Sequence, residues 1–189
     1  VCRPHGEVET LPPPAVAITL FQCVAKPSRM DWLVEKAAEL GVACLVPVVS
    51  ARAVARPASG EKSDRWRRIA ESALRQSASG WLMEVGAPLL WQEALRAMQA
   101  FDGRLFVGAL TGETQDAGAL LMDLRRTGFS GPVGWLIGPE GDLAPEELEA
   151  AVRDAGAAPV SLGAQVLRVE TAALFAVSAT QAVLGARGG

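Results

Sequence analysis

Two apolar strands, each running into a glycine turn and then towards a helix, limit the folds open to this chain more than any other feature. Val133–Ile137 leads straight into Gly138-Pro139-Glu140-Gly141. Pro145 then opens a helix with Glu146, Glu147 and Glu149 in its first turns and Gly156 just past its end, the expected order of start and stop signals. Pro159–Leu162 leads into Gly163, and a helix runs from about Glu170 to Leu184. Glycine at a strand end admits φ > 0 and lets a ligand approach the backbone. Open α/β sheets build ligand sites at the carboxyl ends of strands in this way.

The rest of the chain continues the alternation. Ala15–Val24 reads as a strand, Lys26–Arg29 as a turn, and Met30–Leu40 as a helix stopped by Gly41. Ala43–Ser50 is a second strand, where Pro47 predicts an edge position or a bulge. Glu61–Ser77 carries Trp66, Ile69, Ala70, Ala73 and Leu74 as a helical stripe. Met83–Ala87 reads as a short extended piece, Leu90–Met98 as a short helix, and Arg104–Leu110 as a third strand. Thr111–Gly118 reads as a polar loop and Leu120–Arg126 as a helical turn. Short apolar strands between helices predict an α/β fold, a mostly parallel sheet with helices on both faces.

Composition excludes several classes. Half of the 189 residues are hydrophobic, which argues for a packed domain over disorder. No run of 18 apolar residues offers a membrane span, and no signal-peptide pattern opens the chain. The absence of an initial Met, and Pro12-Pro13-Pro14, fit a linker or a remnant of an upstream domain over residues 1–14. Cys2, Cys23 and Cys44 are odd in number and lack metal spacing, which predicts free thiols in a reducing cytoplasm, with Cys23 and Cys44 as buried fillers. The single histidine, His5, leaves a triad or a metal site unsupported, and no dinucleotide or P-loop signature occurs. The net charge is −3, yet Arg52–Arg75 holds seven basic residues against three acidic ones. That cluster reads either as a solvated helix face or as a surface that follows an RNA backbone.

Individual residues carry two readings each. Glu140 is either a carboxylate that accepts backbone N–H bonds and holds its turn or a member of a site. Arg168, the lone cation of a largely apolar stretch, is either an ion-pair partner or a guanidinium fork aimed at phosphate or a base edge. Glu170 and Thr171 also read as caps of the last helix. Trp81, beside Gly80 in a polar break, is the tryptophan expected to be exposed.

Taken in order, KPSRMDWLVEKAAELG (residues 26–41), the Arg-bearing loop of residues 46–56, RWRRIAESALRQS (65–77), LIGPEG (136–141), Pro145-Glu146-Glu147 and SLGAQVLRVETAA (161–173) resemble the RsmE-type methyltransferases of the SPOUT superfamily. These act on N3 of a uridine in small-subunit (16S) ribosomal RNA. The similarity runs from Ala15 to Leu184. It implies a methyltransferase domain over residues 15–189, a carboxy-terminal trefoil knot, S-adenosylmethionine as cofactor, a cytoplasmic homodimer, and an upstream PUA-like RNA-binding domain of which residues 1–14 are the remnant. It places Leu110, Leu136, Ile137, Gly138, Pro139 and Gly141 at the cofactor. Ser161, Leu162, Gly163, Val166 and Leu167 join them. Arg168 and Glu140 fall near the transferred methyl. Arg29, Arg52, Arg56, Arg67, Arg68 and Arg75 become RNA contacts.

Three departures from the family pattern stand out. Gln165 replaces a usual basic residue. Asp142-Leu143-Ala144 replaces Gly, Phe and a Ser or Thr cap, a loss of about 1 kcal/mol for the following helix. Ser77–Trp81 lacks the arginine often found there. Ribose 2′-O methylation by the same fold, and a non-catalytic RNA-binding or dimerisation module, stand as alternatives.

Overall fold

The computed structural model describes residues 14–53, 61–77, 79–110 and 112–185. Cys2, His5, Arg56 and the expected linker up to residue 13 lie outside the described residues. Within them the strands are β1 (Ile18–Cys23), β2 (Cys44–Val49), β3 (Glu84–Val85), β4 (Leu89–Leu90), β5 (Arg104–Gly108), β6 (Gln115–Asp116), β7 (Val133–Ile137) and β8 (Ala158–Ser161). The helices are α1 (Pro27–Glu39), α2 (Glu61–Ser77), α3 (Trp91–Gln99), α4 (Ala117–Arg126), α5 (Pro145–Arg153) and α6 (Val169–Leu184).

All strands join one parallel sheet in the order β3-β2-β1-β7-β5-β8-β6, with β4 also paired to β2. β7 enters between β1 and β5, two strands already laid down. The chain then passes over β5 to place β8 on its far side. Strand order across the sheet therefore reverses around β7, β5 and β8, and their carboxyl ends open a crevice there.

Alternation along the central strands splits the core into two layers. Ile18 and Leu20 of β1, Trp135 and Ile137 of β7, and Phe106 of β5 face α1, α4 and α6, with α2 stacked outside α1. Phe21 and Cys23, Leu136, Leu105 and Val107 face α3 and α5. The period of two puts neighbouring residues on opposite faces, so both layers are apolar. Trp135 is fully buried, and its Nε1–H donates to Thr180 Oγ1 at 2.9 Å; Thr180 donates in turn to Ala176 O at 2.8 Å. The indole N–H is thereby satisfied inside the larger layer.

Three expectations from sequence are corrected. Pro47 is on an interior strand, with β1 on one side and β3 and β4 on the other. It is tolerated because β3 pairs with Cys44 and Leu45 and β4 with Val48 and Val49, so the proline falls in the gap between them. Gln115 and Asp116, read as loop, form a two-residue strand on β8. α4 starts at Ala117, three residues before the expected turn, because the Asp116 carboxylate accepts the Ala119 N–H at 2.8 Å as an N-cap. Among the described residues, no helix is long and apolar enough to cross a membrane.

Candidate functional site

The ends of β5, β7 and β8 surround a cleft of about 420 Å³. Gly108–Leu110 and Thr114 form one wall, Ile137–Glu140 and Asp142 a second, and Ser161–Val169 a third; Arg29 of α1 and Ala172 of α6 close the rim. The two glycine turns picked out in the sequence therefore meet in one space.

Local chemistry shapes each wall. A Cβ at Gly138 would lie 3.3 Å from Asp142 Oδ1 and from the Leu143 backbone nitrogen, so that turn has little room for a side chain. Gly163 has φ +115°, a region that L side chains rarely adopt. Ser161 Oγ both accepts from Gly163 N (3.3 Å) and donates to Gly163 O (3.2 Å), which fixes the turn after β8. Asp142 is the one non-glycine residue with positive φ among those described, at 60°. Its Oδ1 accepts the Leu143 N–H at 2.8 Å, a local bond that lets aspartate occupy the left-handed region.

The missing cap on α5 is partly replaced. Ala144 at the N-cap has no side-chain acceptor, but the buried Glu147 carboxylate takes two backbone donors, Ala144 N at 3.0 Å and Ala51 N at 2.8 Å. One carboxylate thus ties α5 to the loop after β2. Behind this loop the Cys23 thiol is pushed up to about 12, chiefly by burial and further by the Glu147 and Asp142 carboxylates.

The charged groups at the rim are linked. Glu140 Oε1 lies 3.5 Å from Arg29 Nη1 and accepts the Lys26 N–H at 3.4 Å, so it braces its turn against the uncapped start of α1. Arg29 Nε lies 3.9 Å from Glu170 Oε1. Arg168 occupies the N-cap position of α6, without a side-chain cap bond, and is exposed with no ion-pair partner among the described residues. The ion-pair reading of Arg168 finds no carboxylate there. Glu170 and Thr171 lie in the first turn of α6 and are not its caps.

Of the residues expected at the cofactor, Leu110, Ile137, Gly138, Pro139, Ser161, Leu162, Gly163, Val166 and Leu167 line the cleft, as do Glu140 and Arg168. Leu136 and Gly141 do not. The strand period turns Leu136 into the α3 and α5 layer, and Gly141 faces the Arg52 side chain. Arg29, expected from sequence to contact RNA, lies at the cleft rim. Asp142, Gly108 and Gln165 also line it and were not singled out as site residues. Gly108, a glycine at a strand end, carried the same signal as Gly138. The arginines away from the cleft separate by their partners. Arg52 Nη1 donates to Gly141 O at 3.0 Å and Leu143 O at 3.4 Å. Arg67 is held by Val85 O and Asp64. Arg68 and Arg75 are exposed with no partner among the described residues. Trp81 is 47% exposed.

A parallel α/β sheet with a glycine-walled crevice at its reversal defines a ligand-binding α/β domain. A sequence model of the family described as RNA methyltransferase domain matches residues 12–181. The chain belongs to that family, and within it to the ribosomal RNA small subunit methyltransferase E type. The protein of that name from Mycobacterium bovis is 33% identical over 178 residues, 90% of this chain and 64% of its own length. The one from Aquifex aeolicus is 30% identical, over 94% of this chain and 73% of its own. A crystal structure of ribosomal RNA small subunit methyltransferase E from Neisseria gonorrhoeae, bound to S-adenosyl methionine, has a TM-score of 0.78 at 30% identity, covering 90% of this chain and 67% of that one. The chain thus spans less than two thirds of the length of the mycobacterial relative.

Proposed function

We propose that this domain transfers a methyl group from S-adenosylmethionine to N3 of a uridine in 16S ribosomal RNA. The observation that carries the proposal is the convergence of the β5, β7 and β8 turns on one cleft, together with the donor bound in a relative of the same fold. The cleft volume of about 420 Å³ lies in the range of small-molecule sites. Ile137, Leu162 and Leu167 offer an apolar bed for a purine, and the turns around Gly138 and Gly163 bring backbone donors and acceptors within reach. When bound, the donor supplies an electrophilic methyl on a sulfonium sulfur. The chain has to hold the nucleophile in line and keep water out.

Uracil N3 is a poor nucleophile while it bears its proton, and it lies on the pairing edge, so the base has to be unpaired. Arg168 stabilises the resulting negative charge at the uracil carbonyls or the adjacent phosphate. A cation at the positive end of a helix is unfavourable by itself, and an incoming anion relieves that. The contacts of Glu140 to Lys26 N and Arg29 support a positioning role over proton acceptance. Arg68 and Arg75, exposed and without partners, are the residues of the α2 face best placed for phosphates.

The same reading includes a SPOUT trefoil knot in the β7–α6 segment, a cytoplasmic homodimer, and an upstream PUA-like RNA-binding domain preceding residue 15. The position of β7 between β1 and β5, both earlier in the chain, supports the first. The test is incubation with methyl-labelled donor and 16S RNA, followed by mass spectrometry of the nucleosides. Label on the uracil base at N3 is the expected result. Label on ribose would move the activity to 2′-O methylation, and no label would leave a binding module.

A further inference from the structure

The Arg52 side chain, expected from sequence to meet RNA, is engaged by the turn that walls the cleft after β7. Its Nη1 donates to Gly141 O at 3.0 Å and to Leu143 O at 3.4 Å. These carbonyls flank Asp142, which lines the cleft, whereas Gly141 and Leu143 do not. The same two peptide groups are also held at their other ends. Asp142 N–H donates to Pro139 O at 2.9 Å, and Ala144 N–H donates to Glu147 Oε2 at 3.0 Å. A peptide group is planar, so one held at both C=O and N–H cannot rotate without breaking a bond. The neighbouring Ala51 N–H donates to Glu147 Oε1 at 2.8 Å, so Ala51 and Arg52 grip this wall together. Asp142 needs that support. At φ 60° it is strained for a residue with a side chain, and such a conformation persists only where its surroundings over-determine it. A flip of the peptide joining Gly141 to Asp142 would relieve the strain and reshape the wall.

We propose that Arg52 is a positioning residue for the methyl-donor pocket, holding the peptides on either side of Asp142 so that the cleft wall keeps its binding shape. The inference rests on the reading of the cleft as the S-adenosylmethionine site, and not on which RNA atom is methylated. Arg52 acts from behind the wall. A Cβ at Gly141 would lie 3.8 Å from Arg52 Cβ and 3.9 Å from its Cδ, so the stem of the side chain follows the turn that its head group bonds. A guanidinium suits this task because its donors are set in a rigid plane, whereas an ammonium is a compact point charge on a flexible stem. A phosphate contact that asks for charge alone is served by either. The two roles therefore differ in their response to lysine.

The test compares the unaltered chain with Arg52→Ala and Arg52→Lys, each checked for folding by its far-ultraviolet spectrum. By calorimetry, Arg52→Ala should raise the Kd for S-adenosylmethionine about 10-fold, the scale of a lost hydrogen bond to a charged group. Arg52→Lys should recover only part of that loss. In steady-state methylation the donor KM of Arg52→Ala should rise in step, with kcat at saturating donor within about 3-fold of the parent. The slope of log Kd for 16S RNA against log salt should stay where it is. Amide exchange at Asp142, followed by nuclear magnetic resonance, should quicken about 10-fold or more in Arg52→Ala while the β1 amides keep their protection. An RNA salt slope lowered by about one, with full rescue by Arg52→Lys and donor Kd unmoved, would make Arg52 a phosphate contact and overturn the proposal. If the unaltered chain binds no donor, the pocket reading fails and this proposal with it; if it binds donor and Arg52→Ala binds it as tightly, this proposal alone fails.

Discussion

On the cleft side, Arg29 is one-third exposed and faces two carboxylates from different elements; on the outer face of α2, Arg68 and Arg75 stand in solvent with no partner among the described residues. The cleft arginine is held by tertiary structure, and its orientation is set before any ligand arrives. Arg68 and Arg75 have no partner among the described residues to orient them and act as charges that follow whatever phosphate passes. An unanchored cation supports salt-dependent affinity, whereas a fixed one supports discrimination between ground state and transition state. Arg168 lies between these extremes, placed by the start of α6 but unpaired.

The largest expected effect on the cleft side is kinetic. Arg168→Ala should cost about 100- to 1,000-fold in kcat, with donor affinity within a few-fold, measured by single-turnover methylation and calorimetry. Equal losses in both would make Arg168 a binding residue and remove the distinction from Arg68. Next comes the brace beneath the cleft. Glu147→Ala strips the Ala51 and Ala144 N–H groups of their acceptor and should cost about 3 kcal/mol in urea unfolding, since each is a bond to a charged group in a buried setting.

A pH-dependent effect, absent at neutral pH, is expected from Cys23. Its thiol holds its proton up to about 12 in the folded chain, against an ordinary 9.0. The unfolded chain therefore loses that proton first. Stability is full below about pH 9 and falls as pH rises through the window towards 12, by up to about 1.4 kcal/mol per unit. Urea midpoints across that window should fall steeply in the parent and less in Cys23→Ala. The smallest effect belongs to the α2 face. Arg75→Ala should leave stability within about 0.5 kcal/mol and reduce the salt slope of RNA binding by about one.

What the sequence displayed and what it hid follow from the range of the forces involved. Val133–Ile137 and Glu61–Ser77 were legible to the residue, because an apolar run bounded by glycine and a helical stripe with clean ends are local signals. The β6 strand was hidden because Gln115 and Asp116 are exposed and polar, and only β8 makes them a strand. The Asp116 cap shows in the sequence only as one polar residue within a loop-like stretch. Pro47 misled because its acceptability depends on where two short neighbours leave a gap. At the site, the glycine turns were legible, since close backbone approach demands glycine. The place of Arg29 was not, because a cation on α1 meets Glu140 and Glu170 only once strands and helices from distant parts of the chain have assembled.

The central claim is that the β5, β7 and β8 turns form one pocket for S-adenosylmethionine. Isothermal calorimetry of the full chain against that compound tests it without RNA, partner or turnover. The account predicts saturable binding at one molecule per chain, lost when Gly138→Val fills the turn while the far-ultraviolet spectrum is retained. Heats indistinguishable from dilution in the unaltered, folded chain would contradict it.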